Sequence, residues 1–309
     1  LPPGWAVDQD ALQAIIARRV AKAQPDTDVQ SLDSWFETVR TLGADWVRSR
    51  VRRPGSGVIA PYTAPESILN RPLSARRSIA MCSLPMRTIE AVGSAAGATV
   101  NEVLLGCCAG ALHRYLQQRK ALPKAPLIAG VAAAIARTDN AVSGNVVGQI
   151  LVSLATDRRD SWARLEAVIE SSRAAKSHMR SMPVEVFKRY GLASIVPVVL
   201  LGYTPFGHRV LNANVGVSNV PGPREPLYIN GALIEGTFSA SVLLQGLALN
   251  ITATNIGPNL DVGFTACPDV VDDVQQLAGY LGEELGELAR IARRKRARVG
   301  AGSPRDRTS

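Results

Sequence analysis

Aromatic residues are scarce in this sequence, and residue clusters that hold metals or disulfides are missing. Phe, Trp and Tyr make up 5% of the 309 residues, and they do not alternate with the basic runs, so a surface that stacks nucleic-acid bases is not expected. The four cysteines include no CxxC pair, which leaves no usual zinc spacing and no disulfide framework. We therefore expect no metal site, reduced cysteines and a cytoplasmic protein.

Long hydrophobic runs are also missing. No run of about 18 or more uncharged apolar residues occurs, so no membrane span is predicted. The nearest candidate, residues 191–206 (GLASIVPVVLLGYTPF), is interrupted by Pro197, Gly202 and Pro205. Short apolar runs usually belong to a core, so we expect this segment to be buried. The alternative is a segment that dips into the membrane interface.

Common catalytic signatures are absent as well. There is no GxSxG elbow, no P-loop and no GxGxxG after a strand, so serine-hydrolase and nucleotide-binding interpretations lack their usual anchors. The three histidines, His113, His178 and His208, lie far apart in the sequence. A general base needs a partner that orients it, and none is visible nearby, so each histidine is expected to be structural.

Positive charge is in excess and is concentrated near two points. The net charge is +9, with one basic run at residues 48–53 and another at residues 290–298. Such runs are usually solvated helix faces or tails. The alternative is attraction to anionic lipid headgroups, at about 1 kcal/mol per cation. The candidate membrane contacts are Arg293, Arg294, Lys295 and Arg296, which would place the protein at the inner face of the plasma membrane.

The chain divides into three parts. A helix is predicted over residues 31–52, and a Pro- and Gly-rich linker follows at 53–77 because such composition continues neither helix nor sheet. We assign residues 1–65 to a helical segment and linker, 66–290 to the main domain, and 291–309 to a basic, disordered tail.

Strands and helices alternate in the first half of the main domain, and strands cluster in the second half. The predicted strands are 77–86, 126–136, 148–156, 212–223, 227–241, 246–256 and 260–268, and the predicted helices are 87–97, 98–119, 160–182 and 269–298. Thr99 and Glu102 have capping-box spacing, and Gly97 is expected to end the helix before them. This order predicts an α/β fold, a mixed sheet with flanking helices.

Polar residues at strand positions are the candidates for a binding site. Ser218 and Asn219 end an apolar strand before Pro221 and Gly222. They either form a turn in which Asn bonds its own backbone or line a cleft at the strand end. Two further polar side chains in apolar strand contexts need hydrogen-bond partners if they are buried: Asn145 and Asn250.

Five segments, in this order, resemble the C-terminal region of the wax ester synthase/diacylglycerol acyltransferase family. They are NRPLSARRSIAMCSLPM (70–86), GATVNEVLLGCCAGALHRYL (97–116), GNVVGQILVSLATDRRDSWARL (144–165), VSNVPGPREPLYINGALI (217–234) and GLALNITATNIGPNLDVGFTACPDVVDDVQQLA (246–278). The resemblance covers roughly residues 66–290, and the fourth segment is the most specific.

The resemblance implies one lobe of a fold related to chloramphenicol acetyltransferase and condensation domains. In the family, two lobes enclose a tunnel, and the N-terminal lobe carries a His-His-x-x-x-Asp-Gly motif whose second histidine is the general base. The acceptor, a long-chain alcohol or diacylglycerol, then attacks acyl-CoA. The activity is O-acyl transfer in triacylglycerol or wax ester synthesis. Acyl-CoA is a substrate, and no cofactor is expected.

This chain departs from the family pattern in two ways. No two histidines are adjacent, and the family's Asn-Asp motif reads Asn101-Glu102. We expect Asn101 and Glu102 to support the lobe's structure, and we assign no catalytic residue. The candidate tunnel-lining residues are Asn101, Glu102, Asn145, Ser218, Asn219 and Asn250.

Three hypotheses follow. The first is a lobe that works with a histidine-bearing N-terminal lobe and leaves an apolar face bare. The second is a non-catalytic, lipid- or membrane-associating relative. The third is a self-sufficient enzyme with His113 or His208 as its base, and we favour the first.

Overall fold

The computed structural model describes residues 32–51, 57–134, 147–202, 204, 211–222 and 227–301. The α-helices in these ranges are α1 (Leu32–Val51), α2 (Met86–Ala96), α3 (Val100–Gln118), α4 (Ser161–Ser181), α5 (Val184–Gly202) and α6 (Val274–Ala301), and a short 3-10 helix covers Ile68–Asn70. The strands are β1 (Ser78–Pro85), β2 (Ile128–Ala134), β3 (Val147–Ser153), β4 (Val215–Pro221), β5 (Tyr228–Ile229), β6 (Ala232–Leu233), β7 (Leu249–Ile256) and β8 (Asn259–Ala266).

One mixed sheet organises the lobe. Its six strands lie in the order β1-β8-β7-β4-β2-β3. β4 runs parallel to both β7 and β2, and the other neighbours are antiparallel. The sheet and its flanking helices confirm the predicted α/β fold class. Parallel pairing places Gly216 of β4 beside Asn250 of β7 and Gly130 of β2, so segments distant in sequence meet at one place.

The two faces of the sheet are covered differently. Side chains alternate between faces along a strand, so Asn250, Thr252 and Thr254 of β7 share one face, and Ile251 and Ala253 share the other. Ile251 and Ala253 belong to the buried core that also contains the apolar residues of α3. In the helical layer, α6 contacts β1, α4 contacts β3, and α3 packs against both helices. The face that carries Asn250 is called the open face below.

The central helix α3 begins where the sequence predicts. The Glu102 N–H donates to Thr99 Oγ1 at 3.3 Å, and the Thr99 N–H donates to the Glu102 carboxylate at 2.9 Å. This confirms the capping box, and Gly97, with φ of 63°, ends α2 as expected. In the middle of α3, burial raises the pKa of the adjoining Cys107 and Cys108 thiols. All four cysteines are free thiols, as the sequence predicts.

A segment without regular structure crosses the open face over β7 and β8. Its residues, 236–245, are called the strap below. The hydroxyls of Ser239 and Thr254 lie 3.3 Å apart, and those of Ser241 and Thr252 lie 2.7 Å apart. Two backbone N–H groups add bonds to sheet side chains: Thr237 to Asp261, and Ser241 to Thr265. The strap therefore covers one half of the open face, and the half over β2 and β4 is left accessible.

Two predicted segments differ in the structure. The prediction of one strand over residues 227–241 is wrong. Only the hairpin of β5 and β6 is regular, and its residues are exposed. The rest of the segment forms no backbone ladder, because it bonds to side chains of the sheet instead. The apolar run from residue 191 is helical in α5, but its expected burial is wrong in part. Leu192 is 59% exposed and Leu200 is 69% exposed, because α5 contacts mainly α1 and the edge strand β3.

The C-terminal helix also differs from its predicted limits. It begins at Val274 rather than residue 269, because Asp273 accepts the Gln276 N–H at 2.8 Å and forms the first turn's cap. The helix continues to Ala301, so residues 291–301 are helical rather than disordered. Residues 302–309 lie outside the described ranges.

In the described part of the chain, no single helix has the length and apolar content needed to cross a membrane. Among the described helices, α2 and α3 meet that test together, as a pair bent by 97°. Most of α3 is buried inside the lobe.

Candidate functional site

The described residues form a cleft of about 580 Å³ on the accessible half of the open face. Its floor is formed by strand residues, among them Gly130, Gly216, Ser218 and Asn250. One wall comes from α5, including Phe187, and the opposite wall comes from the end of the strap and the residues after it. The apolar wall residues are Leu192, Ile195, Val242, Leu244 and Leu247. The cleft is therefore a mostly apolar space with a small number of polar groups on its floor.

The polar floor is organised by a chain of hydrogen bonds. Thr252 Oγ1 donates to Asn250 Oδ1 at 2.9 Å, and Ser241 Oγ lies 2.7 Å from Thr252 Oγ1. Asn250 in turn lies over the backbone of the neighbouring strand, because a Cβ on Gly216 would be 2.6 Å from Asn250 Nδ2. The amide is thus held in one place above a residue that has no side chain.

The structure brings together only some of the residues that the sequence singled out. Ser218 and Asn250 line the cleft, but Asn219 does not. By strand alternation Asn219 faces away from Ser218, and its Oδ1 is buried without a hydrogen-bond partner. Asn101 lies in the first turn of α3 and does not line the cleft. Asn145 lies outside the described residues.

Glu102 has a structural environment at the start of α3. Besides the capping bond to Thr99, its carboxylate lies 3.3 Å from Lys176 Nζ on α4. Burial raises the pKa of Glu102, but the bonds from Thr99 and the charge of Lys176 outweigh it, and the net pKa is lowered. The carboxylate is therefore held ionised, and it joins α3 to α4.

The described histidines are not in the cleft. His113 is buried, and its Nδ1 lies 2.6 Å from the Thr156 carbonyl oxygen. Because a carbonyl only accepts, Nδ1 carries the proton. His178 Nε2 lies 2.7 Å from the buried Asp45 Oδ2, which also accepts from the Tyr190 hydroxyl at 3.1 Å. His208 lies outside the described residues.

The His178 cluster borders a different and much smaller space. That cavity measures about 30 Å³, which is room for about two water molecules and too little for a lipid. Desolvation and the nearby Asp45 raise the pKa of Tyr190. His178 and Asp45 come from α4 and α1, and Tyr190 comes from α5, so the cluster fastens three helices together.

Sequence reasoning missed a buried asparagine pair beneath the strand ends. Asn70 Nδ2 donates to the Ala213 and Gly246 carbonyls at 3.0 and 2.8 Å. Asn214 Nδ2 donates to Asn70 Oδ1 at 2.7 Å, and Asn214 Oδ1 accepts the Ile128 N–H at 2.8 Å. The available signal was an amide directly before the apolar strand β4.

The predicted membrane-contact residues lie on the last turns of α6. All four are exposed: Arg293, Arg294, Lys295 and Arg296. Lys295 Nζ lies 4.4 Å from the Trp162 ring centroid and 3.5 Å from Glu166, and Arg296 donates to the Ala91 carbonyl at 3.3 Å. Two of the four side chains are therefore engaged with the lobe itself.

Two protein-family profiles match the chain. The profile described as the WS/DGAT C-terminal domain matches residues 143–289, and the profile described as the wax ester synthase/diacylglycerol acyltransferase catalytic domain matches residues 5–104. The resemblance inferred from sequence motifs begins at about residue 66. The second profile match also includes residues before that point.

Similar proteins agree with these matches. A Mycobacterium tuberculosis protein that carries the name diacylglycerol O-acyltransferase is 38% identical over 239 residues, which are 74% of this chain and 52% of that protein. The O-acyltransferase WSD of Acinetobacter baylyi is 37% identical over 227 residues, 74% of this chain and 49% of that protein. The solved wax ester synthase/diacylglycerol acyltransferase of Marinobacter aquaeolei superposes with a TM-score of 0.67 at 32% identity, covering 83% of this chain and 55% of that one.

The mixed sheet, its helical layer and its apolar cleft thus define one α/β lobe of the acyltransferase type. The chain belongs to the wax ester synthase/diacylglycerol acyltransferase family, whose similar members are named as O-acyltransferases. It spans about half the length of the relatives it matches.

Proposed function

We propose that this chain forms the C-terminal lobe of an acyl-CoA-dependent O-acyltransferase that esterifies diacylglycerol or a long-chain alcohol. The cleft on the open face is the observation that carries this proposal. Its volume of about 580 Å³ lies within the usual range for small-molecule pockets, about 300–1,000 Å³. Its apolar walls suit a hydrocarbon chain, and its polar floor suits an ester or a hydroxyl group.

The chemistry needs a base that the described cleft does not supply. Among the described residues that line the cleft, none is a histidine, an aspartate or a glutamate. We therefore place the base on a lobe that carries the paired-histidine motif and faces the cleft. The base takes the proton of the acceptor hydroxyl, whose oxygen forms the new ester bond at the thioester carbonyl. The carbon–sulfur bond breaks, the CoA thiolate leaves and receives the proton, and no cofactor is consumed.

Exposed apolar side chains around the cleft support a facing lobe. Val242 of the strap is 86% exposed and Leu192 of α5 is 59% exposed, and both line the cleft; Leu200, further along α5, is 69% exposed. Contiguous exposed apolar surface commonly marks an interaction site. A facing lobe would cover these side chains and close the cleft over its substrates.

The basic end of α6 supports a further proposal about location. Arg293 and Arg294 are exposed, and cations at a surface are attracted to anionic lipid headgroups. We propose that this end contacts a membrane or lipid-droplet surface.

A chimaera tests the acyltransferase proposal. The part of the Acinetobacter baylyi O-acyltransferase that precedes its matched region would be joined to this chain. Radiolabelled palmitoyl-CoA would be supplied with dioleoylglycerol or hexadecanol, and the products would be separated by thin-layer chromatography. We expect the chimaera to form labelled ester and the chain alone to be slower by about 10²–10⁴-fold, the usual contribution of a general base.

Two controls make the result specific. Replacing the second histidine of the paired motif by alanine should silence the chimaera while leaving its folding unchanged by circular dichroism. The proposal fails if the chain alone forms ester as fast as the chimaera.

A further inference from the structure

The floor of the cleft contains an amide whose orientation is set by its neighbours. Thr252 gives its hydroxyl proton to Asn250 Oδ1. Because that proton is then used, the 2.7 Å contact between Ser241 and Thr252 requires Ser241 to be the donor. The bonds therefore run in one direction, from Ser241 of the strap through Thr252 to Asn250.

This direction leaves the donor end of the amide for the cleft. With Oδ1 already accepting, Asn250 Nδ2 is the end that lies over Gly216, and both residues line the cleft. The apolar wall residues offer no competing side-chain acceptor, and the other polar side chains that line the cleft are Gln149 and Ser218. A ligand oxygen that reaches this point of the floor would meet an N–H group held in place by two hydroxyls.

We propose that Asn250 is a specificity-determining residue that donates a hydrogen bond to the carbonyl oxygen of an acyl group in the cleft. This inference rests on the proposed function and names the part of the substrate that the cleft recognises. The carbonyl belongs either to an ester on glycerol or to a thioester on CoA. A donor fixed before binding loses little entropy when the bond forms, so ligands with the carbonyl gain affinity over ligands of equal length without it.

Matched ligand pairs test this inference on the full 309-residue chain by isothermal titration calorimetry. The first pair is dioctanoylglycerol and its dioctyl ether, and the second is octanoyl-CoA and the S-octyl thioether of CoA. One neutral hydrogen bond corresponds to about three- to tenfold in affinity. We expect the chain to prefer the carbonyl member of at least one pair by that factor, and the pair concerned identifies the source of the acyl group.

Three variants separate the amide from its surroundings. Asn250→Leu removes the donor and should reduce the preference to about onefold. Thr252→Val keeps the amide but removes the hydroxyl that orients it, and it should weaken the preference. Thr254→Val is the matched control, because its hydroxyl lies on the same face of β7 and contacts Ser239 rather than Asn250, and it should keep the preference.

The outcomes also separate this inference from the proposed function. Equal affinity within both pairs, or an unchanged preference in Asn250→Leu with normal circular dichroism, overturns the role of Asn250 even if the chimaera forms ester. A carbonyl preference together with an inactive chimaera keeps the role of Asn250 and counts against acyl transfer.

Discussion

Breaking the ion pair between Arg164 and Glu284 by replacing one partner should strongly destabilise the lobe, because the other charge would be left buried. Arg164 Nη2 lies 2.8 Å from Glu284 Oε1, and the two side chains are only 3% and 12% exposed. The pair joins α4 to α6 beside α3. Gly110 of α3 makes room for it, because a Cβ there would lie 2.0 Å from the Glu284 carboxyl carbon.

Removing one partner leaves the other charge buried. We expect Arg164→Met or Glu284→Met alone to lower the free energy of unfolding by about 3–5 kcal/mol, whereas the double variant should fall by much less. When Glu284 is replaced, Arg164 keeps its bonds to the Arg158 carbonyl and the Ser161 hydroxyl. The loss of unfolding free energy in Glu284→Met should therefore be the smaller of the two single losses.

Urea unfolding of the four proteins gives the coupling energy directly. We expect the sum of the single effects to exceed the double effect by about 2 kcal/mol or more. Additive effects within about 0.5 kcal/mol would refute the argument, because they would mean that water reaches the pair. Gly110→Ala should also destabilise the lobe, since it would push Glu284 away from Arg164.

Four further outcomes are expected. Glu102→Asp should lower the free energy of unfolding by about 0.5–2 kcal/mol, measured with denaturant, because the shorter side chain cannot reach both Thr99 and Lys176. The lowered pKa of Glu102 means that its stabilisation is complete at neutral pH and is lost as the pH falls below about 4.5, so Glu102→Gln should lack that part of the acid decline in thermal scans. Gly148→Val should cost about 1–3 kcal/mol in urea unfolding, because its Cβ would lie 2.1 Å from the Phe187 ring. Arg293→Gln with Arg294→Gln should weaken binding to anionic vesicles by about 30-fold in sedimentation assays.

Each of these outcomes has a control. Glu102→Asp as stable as the parent chain would contradict a bridging role for that carboxylate, and an acid profile unchanged in Glu102→Gln would assign the decline to other groups. Gly191 lines the same cleft, and a Cβ built on it would have no atom within 4 Å. Gly191→Ala should therefore not show the loss of stability expected for Gly148→Val. Vesicles of neutral lipid should bind the arginine variant and the parent chain equally. The membrane proposal is wrong if anionic vesicles also bind the variant as tightly as the parent chain.

Local sequence signals predicted the elements that depend on near neighbours. The capping box of Thr99 and Glu102, the left-handed Gly97 and the apolar strand β1 are each decided within a few residues, and each was confirmed. The strand expected over residues 227–241 failed for the opposite reason. The conformation of this segment depends on Thr252, Thr254 and other side chains of the sheet, whose hydroxyls bond to it in place of a backbone ladder.

The site was harder to predict than the fold. Ser218 and Asn250 looked unusual as polar residues in apolar strands, but only the parallel pairing of β4 with β7 brings them to one floor. Strand alternation also separates Ser218 from its neighbour Asn219, which sequence adjacency had joined. The contact of His178 with Asp45 spans 133 residues, and no local pattern in either helix indicates it.

The adjoining thiols of Cys107 and Cys108, in the middle of α3, are natural probes of global unfolding. A thiol reacts as its thiolate, and Cys107 and Cys108 are both fully buried with raised pKa values. Fraying of a helix end or movement of the strap would not expose them, so an alkylating reagent must wait until the helical layer separates from the sheet. Their rate of labelling would therefore measure how often the whole lobe comes apart, without any introduced probe.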